Sequence, residues 1–209
     1  KCFVYQVIKP EKGQLQVILS RTHPEFVKKL FELEIPEIYD HSIEIYKIVR
    51  EPGFRTKVAV YSRRDDLDPV GACVGLKGIR IQTIMREMEG ERIDVLRYDP
   101  NPIEFIRNAL APAEVKRVVV LDENKRTAVA VVEESQLSLA IGKQGLNVRL
   151  ANKLVDWVID VKTVDQFKDM DLGSMTKERV ESLFTPEPTI EQEFEEDEML
   201  LGQIPELSQ

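Results

Sequence analysis

A Gly-x-x-Gly tetrapeptide occurs twice in this chain of 209 residues, as Gly75-Leu76-Lys77-Gly78 and, 67 positions later, as Gly142-Lys143-Gln144-Gly145. Each copy has an apolar residue before it, apolar residues at the same offsets after it, and an Ile-Asp-Val triplet further on. One such tetrapeptide is common in turns, but two in matching context indicate a duplicated structural unit. The matching apolar residues are Val74, Ile79 and Ile81 in the first copy and Ile141, Leu146 and Val148 in the second.

The residues around each tetrapeptide predict the same order of elements: helix, strand, strand, helix, Gly-x-x-Gly loop, helix and strand. In the first unit, Thr22 or His23 starts a helix with Pro24 in its first turn. Asp68 then starts the short helix before the loop, and Gly90 ends the helix after it. The strands of this unit are expected at 43–49, 56–61 and 92–98.

The second unit repeats this pattern. Asn101 is the expected N-cap of its first helix, with Pro102 at the first helical position. Ser135 is expected to cap a short helix at 137–141, and the strands are expected at 115–121, 126–132 and 157–161. The fold class that follows is α+β, with two tandem units that each contain a three-stranded sheet backed by helices.

A β-hairpin is predicted ahead of the first unit, because residues 2–8 and 14–20 alternate in the manner of strands. A lone hairpin is marginal in water, and the chain opens on Lys1 next to this pattern, so we expect it to be part of a longer protein. About six residues, two of them proline, separate the units, which predicts rigid packing between them. The expected divisions are 1–21 for the hairpin, 22–99 and 100–162 for the units, and 163–209 for a C-terminal extension.

The paired loops predict that both units bind single-stranded RNA. A glycine lacks the Cβ that would hold a phosphodiester backbone away, and each loop precedes a helix N-terminus, where free N–H groups and the helix dipole favour phosphate. A lysine in each loop adds positive charge, and a groove with an apolar floor suits about four unpaired nucleotides. The expected RNA-binding residues are Gly75, Leu76, Lys77, Gly78 and Arg80 in the first unit, and Gly142, Lys143, Gln144, Gly145, Asn147 and Arg149 in the second.

The net charge of −8 would argue against a nucleic-acid partner if it were spread evenly. Nine of the 37 acidic residues follow Arg179 and no Lys or Arg does, so residues 1–179 carry 28 acidic against 29 basic residues. The excess negative charge belongs to the extension, for which we expect a helix at about 176–184 and disorder from about 186. Two roles stay open for this tail: weak autoinhibition of RNA binding, or a solvated segment that binds nothing here.

The sequence contains no motif that indicates catalytic chemistry. There is no Walker loop, zinc motif or nucleophile elbow, and we expect no enzyme activity, no metal and no cofactor. Cys2 and Cys73, together with the lack of a membrane-length apolar run or a secretory signal, suit a reduced cytoplasmic protein. His23 and His41 are expected as capping or surface residues, and Trp157 is expected in the core.

Most of residues 1–162 resembles the bacterial NusA family of transcription factors. Glu51-Pro52-Gly53-x-Arg55-x-Lys57-Val58-Ala59-Val60, the run 68–80 and residues 91–95 are similar to its first KH domain. Residues 137–143 and 147–151 resemble its second KH domain, 108–113 match the join between the domains, and 19–22 look like the exit of its OB-fold RNA-binding barrel. Three departures are Leu146 where Gln is frequent, His41 where Gly is usual, and Val155-Asp156 in place of Thr-Gly.

The resemblance implies a non-enzymatic elongation factor that holds nascent RNA and modulates pausing, termination and antitermination by RNA polymerase. It implies that the polymerase is bound through regions that precede this chain and that other transcription factors are further partners; we expect a monomer. Two readings of other classes stay open. In the first, the units are accessory modules of an RNA-processing or ribosome-associated enzyme. In the second, they form a protein-interaction scaffold whose loops no longer bind RNA.

Overall fold

The computed structural model describes residues 1–10 and 13–170, so the tail predicted from about 186 and the helix predicted at 176–184 lie outside the described residues. The chain begins with the predicted hairpin, β1 (Phe3–Ile8) paired antiparallel with β2 (Gln16–Ser20). This two-stranded sheet leaves large apolar side chains exposed on both strands, among them Val4, Val7, Val17 and Leu19.

The first unit has the predicted order of elements, with one further short helix after the first. His23 is the N-cap of the first helix, where its Nδ1 accepts a hydrogen bond from the Glu25 N–H at 3.1 Å, which confirms the predicted capping role. The elements are α1 (Pro24–Glu34), α2 (Pro36–Tyr39), β3 (Ile43–Glu51), β4 (Arg55–Ser62), α3 (Pro69–Val74), α4 (Ile79–Glu87) and β5 (Arg92–Arg97). β4 is the central strand, antiparallel to β3 and parallel to β5.

The second unit repeats this topology with β7 at the centre, antiparallel to β6 and parallel to β8. Asn101 caps its first helix as predicted, because the Asn101 Oδ1 accepts from the Ile103 N–H at 3.0 Å. The elements are α5 (Pro102–Ala109), β6 (Val115–Asp122), β7 (Thr127–Val132), α6 (Glu134–Ile141), α7 (Leu146–Val155) and β8 (Val158–Thr163).

Two details of the second unit differ from the prediction. The prediction that Ser135 caps α6 is wrong, because the helix begins at Glu134 and Glu133 holds the N-cap position without a side-chain capping bond. A further helix, α8 (Val164–Lys168), follows β8. Thr163 and Gln166 exchange hydrogen bonds between side chain and backbone at its start, so a capping box, Thr-x-x-Gln, was the sequence signal for this helix.

The two units share an apolar core. Successive side chains of β4 point to opposite faces of its sheet: Val58 and Val60 pack among the helices of their own unit, whereas Ala59 joins the core of the second unit. Val49 and Leu96 extend this shared face, on which residues of α5 and α7 pack, and only four residues (98–101) connect β5 to α5. The first sheet is therefore covered by helices from both units.

Candidate nucleic-acid interface

The two Gly-x-x-Gly loops have the same backbone conformation. Gly75 and Gly142 have φ/ψ of 76°/171° and 74°/170°, and the third residues of the loops, Lys77 and Gln144, have 52°/25° and 54°/28°. The closing hydrogen bond between the fourth residue's N–H and the first glycine's carbonyl is 3.0 Å long in both loops. The duplication inferred from sequence thus extends to the details of the turn.

The first glycine of each loop is required by the protein's own packing. A Cβ at Gly75 would lie 2.8 Å from the Arg80 Cγ. A Cβ at Gly142 would lie 2.8 Å from the Asn147 Cβ and 2.9 Å from the Asn147 backbone N. Since both glycines also have φ near +75°, where other residues are strained, we assign them to closing the loop onto the next helix.

The second glycine of each loop faces open space instead. Nothing lies within 4 Å of a Cβ built on Gly145, and only the ends of side chains, Gln82 Nε2 at 3.5 Å and Ile81 Cγ2 at 4.0 Å, approach one built on Gly78. These glycines are the N-caps of α7 and α4, and neither helix has a side-chain capping bond. The first N–H of each helix, at Ile79 and Leu146, donates to a carbonyl of its own loop, at Leu76 and Lys143. Since no side chain caps either helix, the positive end of the helix dipole still faces solvent and favours an anion there.

The exposed side chains of the loops are those that the sequence singled out for contact with RNA. Leu76 is 81% exposed, and Lys77, Lys143, Gln144 and Arg149 are also exposed. In the described part of the chain, none of these three cations forms an ion pair. Among the apolar neighbours of the loops, Ile79 and Ile141 are exposed, whereas Ile81 is buried.

Arg80, which the sequence placed among the RNA contacts, is hydrogen-bonded within its own unit. Its Nη1 donates to both carboxylate oxygens of Glu37, at 3.1 and 3.0 Å, and to the Ala72 carbonyl at 2.7 Å. The Arg80 side chain is 31% exposed. Arg80 thus joins the end of α3 to α2 beneath the loop.

Asn147 stands at the corresponding place after the second loop and is completely buried. Its Nδ2 donates to the carbonyls of Leu110 and Ala140, both at 3.0 Å. In this conformation its side chain is enclosed by protein and holds the end of α6 to the end of α5. The sequence placed Asn147 among the RNA contacts, and its role at the loop in this structure is to hold the two helix ends together.

Two residues were missed by the sequence reasoning, one on the helix after the first loop and one in the first sheet. Gln82 is exposed one turn into α4, at the position that Arg149 occupies in α7, and a register comparison of the two repeats would have found it.

Lys57 is fully buried in β4, where its Nζ donates to the Asp94 Oδ2 at 3.0 Å and to the Ala111 carbonyl at 2.7 Å. Burial lowers the pKa of Lys57 to about 8, and the charge of Asp94 opposes this shift.

Among the residues that the structure describes, no group of three or more His, Cys, Asp or Glu side chains could hold a metal ion. The same residues include no helix that is long and apolar enough to cross a membrane. Trp157 is partly buried against the core just before β8, which agrees with its predicted role.

Comparisons with known proteins agree with this geometry. Residues 21–98 match the family model described as the NusA-like first KH domain, and residues 102–169 match the NusA-like second KH domain. A solved structure described as the crystal structure of APE1850 covers 66% of this chain and 97% of its own length, with a TM-score of 0.50 and 20% identity, and shows the fold alone. The molecule is therefore a tandem KH protein.

Two relatives that are similar in sequence indicate the family as well as the fold. The transcription termination/antitermination protein NusA of Borreliella burgdorferi is 50% identical over 199 residues, which is 94% of this chain and 41% of that protein. The protein of the same name from Bacillus subtilis is 45% identical over 192 residues, 91% of this chain and 51% of that protein. The chain belongs to the NusA family, and it spans about half the length of these curated relatives.

Proposed function

We propose that this chain binds single-stranded RNA through both Gly-x-x-Gly loops and has no catalytic role. The observation that carries the proposal is the pair of superposable loops, each with a glycine facing open space at an uncapped helix N-terminus. Phosphate would be bound at these helix N-termini, favoured by the helix dipole, and by the exposed cations Lys77, Lys143 and Arg149. Arg80 and Asn147 would act as positioning residues that hold the loops, not as direct contacts.

The other exposed loop residues have their own parts in this proposal. Gly78 and Gly145 would let the sugar–phosphate backbone approach, while Leu76 and Gln144 would lie against it at the loop tips. Gly75 and Gly142 would shape the turns. The KH module uses such a loop to clamp about four backbone nucleotides, so the two loops together would hold an unpaired RNA segment.

At the level of the whole protein, we propose a transcription elongation factor that modulates pausing, termination and antitermination by holding nascent RNA. The names of the relatives support this proposal. RNA polymerase would be bound through regions outside this chain, with other transcription factors as further partners, in a cytoplasmic monomer without a cofactor. The division into 1–21 as the end of an OB-fold barrel, KH domains at 22–99 and 100–162, and an extension at 163–209 belongs to the same proposal. The exposed apolar hairpin suits a strand pair within a larger barrel.

The test replaces the loop tips with carboxylates. Leu76→Asp with Lys77→Asp, and separately Lys143→Asp with Gln144→Asp, should each weaken binding of an unstructured RNA by about tenfold or more, which is about 1.4 kcal/mol. The physical reason is repulsion between carboxylate and phosphate. Binding is measured by fluorescence anisotropy, and circular dichroism checks that the fold is kept, since exposed turn positions cost little stability.

A matched control has the same change of charge in an exposed turn far along the chain from the loops. Asn124→Asp with Lys125→Asp in the β6–β7 turn alters the net charge by the same amount as either loop variant. Its affinity should fall much less than that of either loop variant. Equal losses in all three variants would mean that only overall charge matters, and the proposal of two loop sites would be wrong.

A further inference from the structure

A lysine of the first KH domain reaches into the second. Lys57 is fully buried in β4, and its Nζ donates to the carbonyl of Ala111, a residue of the second KH domain, at 2.7 Å. On the other side it is held by Asp94, which also accepts from the Arg55 guanidinium at 2.7 and 3.1 Å. A buried ammonium is costly to desolvate unless its partners are well placed, so Lys57 is firmly fixed.

The carbonyl that Lys57 contacts is next in the chain to the one that anchors the second loop. The Leu110 carbonyl at the end of α5 accepts from the Asn147 Nδ2 at 3.0 Å, and the following carbonyl, that of Ala111, accepts from Lys57. The last carbonyls of a helix lack partners within the helix. The Leu110 carbonyl also accepts from the Ala113 N–H at 3.2 Å. Side chains from different domains therefore contact two consecutive carbonyls here, that of Asn147 at Leu110 and that of Lys57 at Ala111.

Asn147 carries the connection to the loop itself. Its Nδ2 also donates to the Ala140 carbonyl, two residues before Gly142, at 3.0 Å. Its Cβ and backbone N lie so close to Gly142 that no Cβ fits there. A chain of hydrogen bonds therefore runs from Asp94 through Lys57, the end of α5 and Asn147 to the second Gly-x-x-Gly loop.

Within the described residues, the anchor of the first loop makes no such connection to the other domain. This anchor, Arg80, binds Glu37 and Ala72, which belong to its own domain. The Arg80 and Glu37 side chains are 31% and 28% exposed, so this anchor ends near the surface. A change at Lys57 should therefore affect the two loops differently, although Lys57 belongs to the domain of the first loop.

We propose that Lys57 is a positioning residue for the second Gly-x-x-Gly loop, acting across the domain boundary through Ala111, Leu110 and Asn147. The predicted effect on RNA affinity rests on the proposed RNA-binding function, whereas the hydrogen bonds that carry the inference do not. Connected polar groups in a buried environment stabilise one another, so loss of one member loosens the next. The second KH loop would then reach its RNA-binding conformation only when the first domain is docked.

The first experiment uses amide hydrogen exchange on the full chain and needs no RNA. The Gly78 and Gly145 N–H groups make equivalent 3.0 Å bonds to the carbonyls of Gly75 and Gly142, so each reports on its own loop. Lys57→Met should speed exchange at Gly145 by about tenfold and at Gly78 by less than about twofold. Equal acceleration of both amides, or of neither, would overturn the proposal even if RNA binding by the loops had failed its own test.

The second experiment measures RNA affinity in two variants, each with one of the two loops disabled. With the first loop disabled by Leu76→Asp and Lys77→Asp, the remaining binding belongs to the second loop, and Lys57→Met should weaken it by about tenfold, or about 1.4 kcal/mol. With the second loop disabled by Lys143→Asp and Gln144→Asp, the same change should have less than about a twofold effect. Losses of equal size in both backgrounds would show a general structural role and contradict the proposal.

Two further variants serve as controls for the exchange and affinity measurements. Lys47→Met removes another lysine of the first domain that contacts the second, through a 2.7 Å ion pair with Asp156, but this lysine is outside the chain of bonds. It should leave both loops unchanged, and a loss at the second loop equal to that of Lys57→Met would overturn the proposal. If Lys57→Met does not fold, Lys57→Gln keeps an N–H donor and should show a smaller loss, again confined to the second loop; a loss shared by both loops would contradict the proposal.

Discussion

The two Gly-x-x-Gly loops have one backbone conformation but are held by different chemistry. The first is anchored by an arginine, Arg80, in a partly exposed ion pair with Glu37, and the second by a neutral amide, Asn147, that is completely buried. Both anchors reach the carbonyls at the end of the preceding helix, at Ala72 and Ala140. The comparison teaches that the glycines and the positive φ angles define the turn, whereas the surroundings decide which side chain holds it.

The surroundings differ because the helix that follows the second loop packs on the sheet of the other domain. This helix, α7, has Leu150 and Leu154 in the core that includes Val49 and Ala59 of the first sheet. Arginine suits the first anchor, since its long stem reaches a carboxylate while its charge stays near water. A buried charge beside Gly142 would lack that hydration, and an amide supplies donors there without the desolvation cost of an ion.

The largest effect that we predict comes from alanine at the first glycine of the second loop. Gly142→Ala brings a Cβ to 2.9 Å from a backbone nitrogen that cannot move without shifting α7, and it strains a φ of +74°. We expect a loss of about 3 kcal/mol or more in the free energy of unfolding. Gly75→Ala should cost less, about 2 kcal/mol, since the Cβ meets only the stem of the Arg80 side chain and no backbone atom.

Urea unfolding measures both losses, with Gly145→Ala as the control. Nothing lies near a Cβ at Gly145, so only the strain of its φ of +70°, about 1 kcal/mol, should appear. If Gly75→Ala and Gly142→Ala cost the same, the two loops would not differ in how closely the next helix packs on them, and this part of the comparison would be wrong.

A smaller effect should separate the two anchors by their response to salt. Arg80→Met should cost about 1 kcal/mol at low salt, because its ion pair is partly exposed, and the cost should shrink as the Debye length falls from about 10 Å at 0.1 M to about 3 Å at 1 M. Asn147→Ala should cost about 2–3 kcal/mol at any salt concentration, since it removes a fully buried side chain that donates to the Leu110 and Ala140 carbonyls. Unfolding curves at the two salt concentrations test this, and a salt-dependent cost at Asn147 would contradict it.

The sequence predicted what depends on local pattern. The loops, the order of elements and the caps at His23 and Asn101 follow from short-range spacing, and the structure confirms them. The anchors could not be predicted this way, because their partners are distant in the chain: Arg80 meets Glu37 43 positions away, and Asn147 meets Leu110 37 positions away. Nearness to a loop along the chain led to the expectation of RNA contact at both residues, and it could not reveal the hydrogen bonds that hold their side chains to the protein.

The smallest effect concerns two residues that stand where the NusA family resemblance led us to expect glycine. His41 and Asp156 have φ of 63° and 58°, in the left-handed region where glycine is favoured. His41→Gly should stabilise the protein by about 0.5–1 kcal/mol through relief of this strain. Asp156→Gly should change stability by less than about 0.5 kcal/mol, because aspartate tolerates the conformation better and the ion pair with Lys47 is lost.

The two substitutions can be separated by a double-mutant cycle with Lys47→Met. Once Lys47 is replaced, Asp156 has lost its partner across the domain boundary, so Asp156→Gly should become stabilising, while His41→Gly should keep its effect. Thermal unfolding measures all the variants. An Asp156→Gly effect that does not change in the Lys47→Met background would mean that this ion pair contributes nothing to domain docking, and that the shared apolar core and the buried contact between Lys57 and Ala111 hold the two domains together.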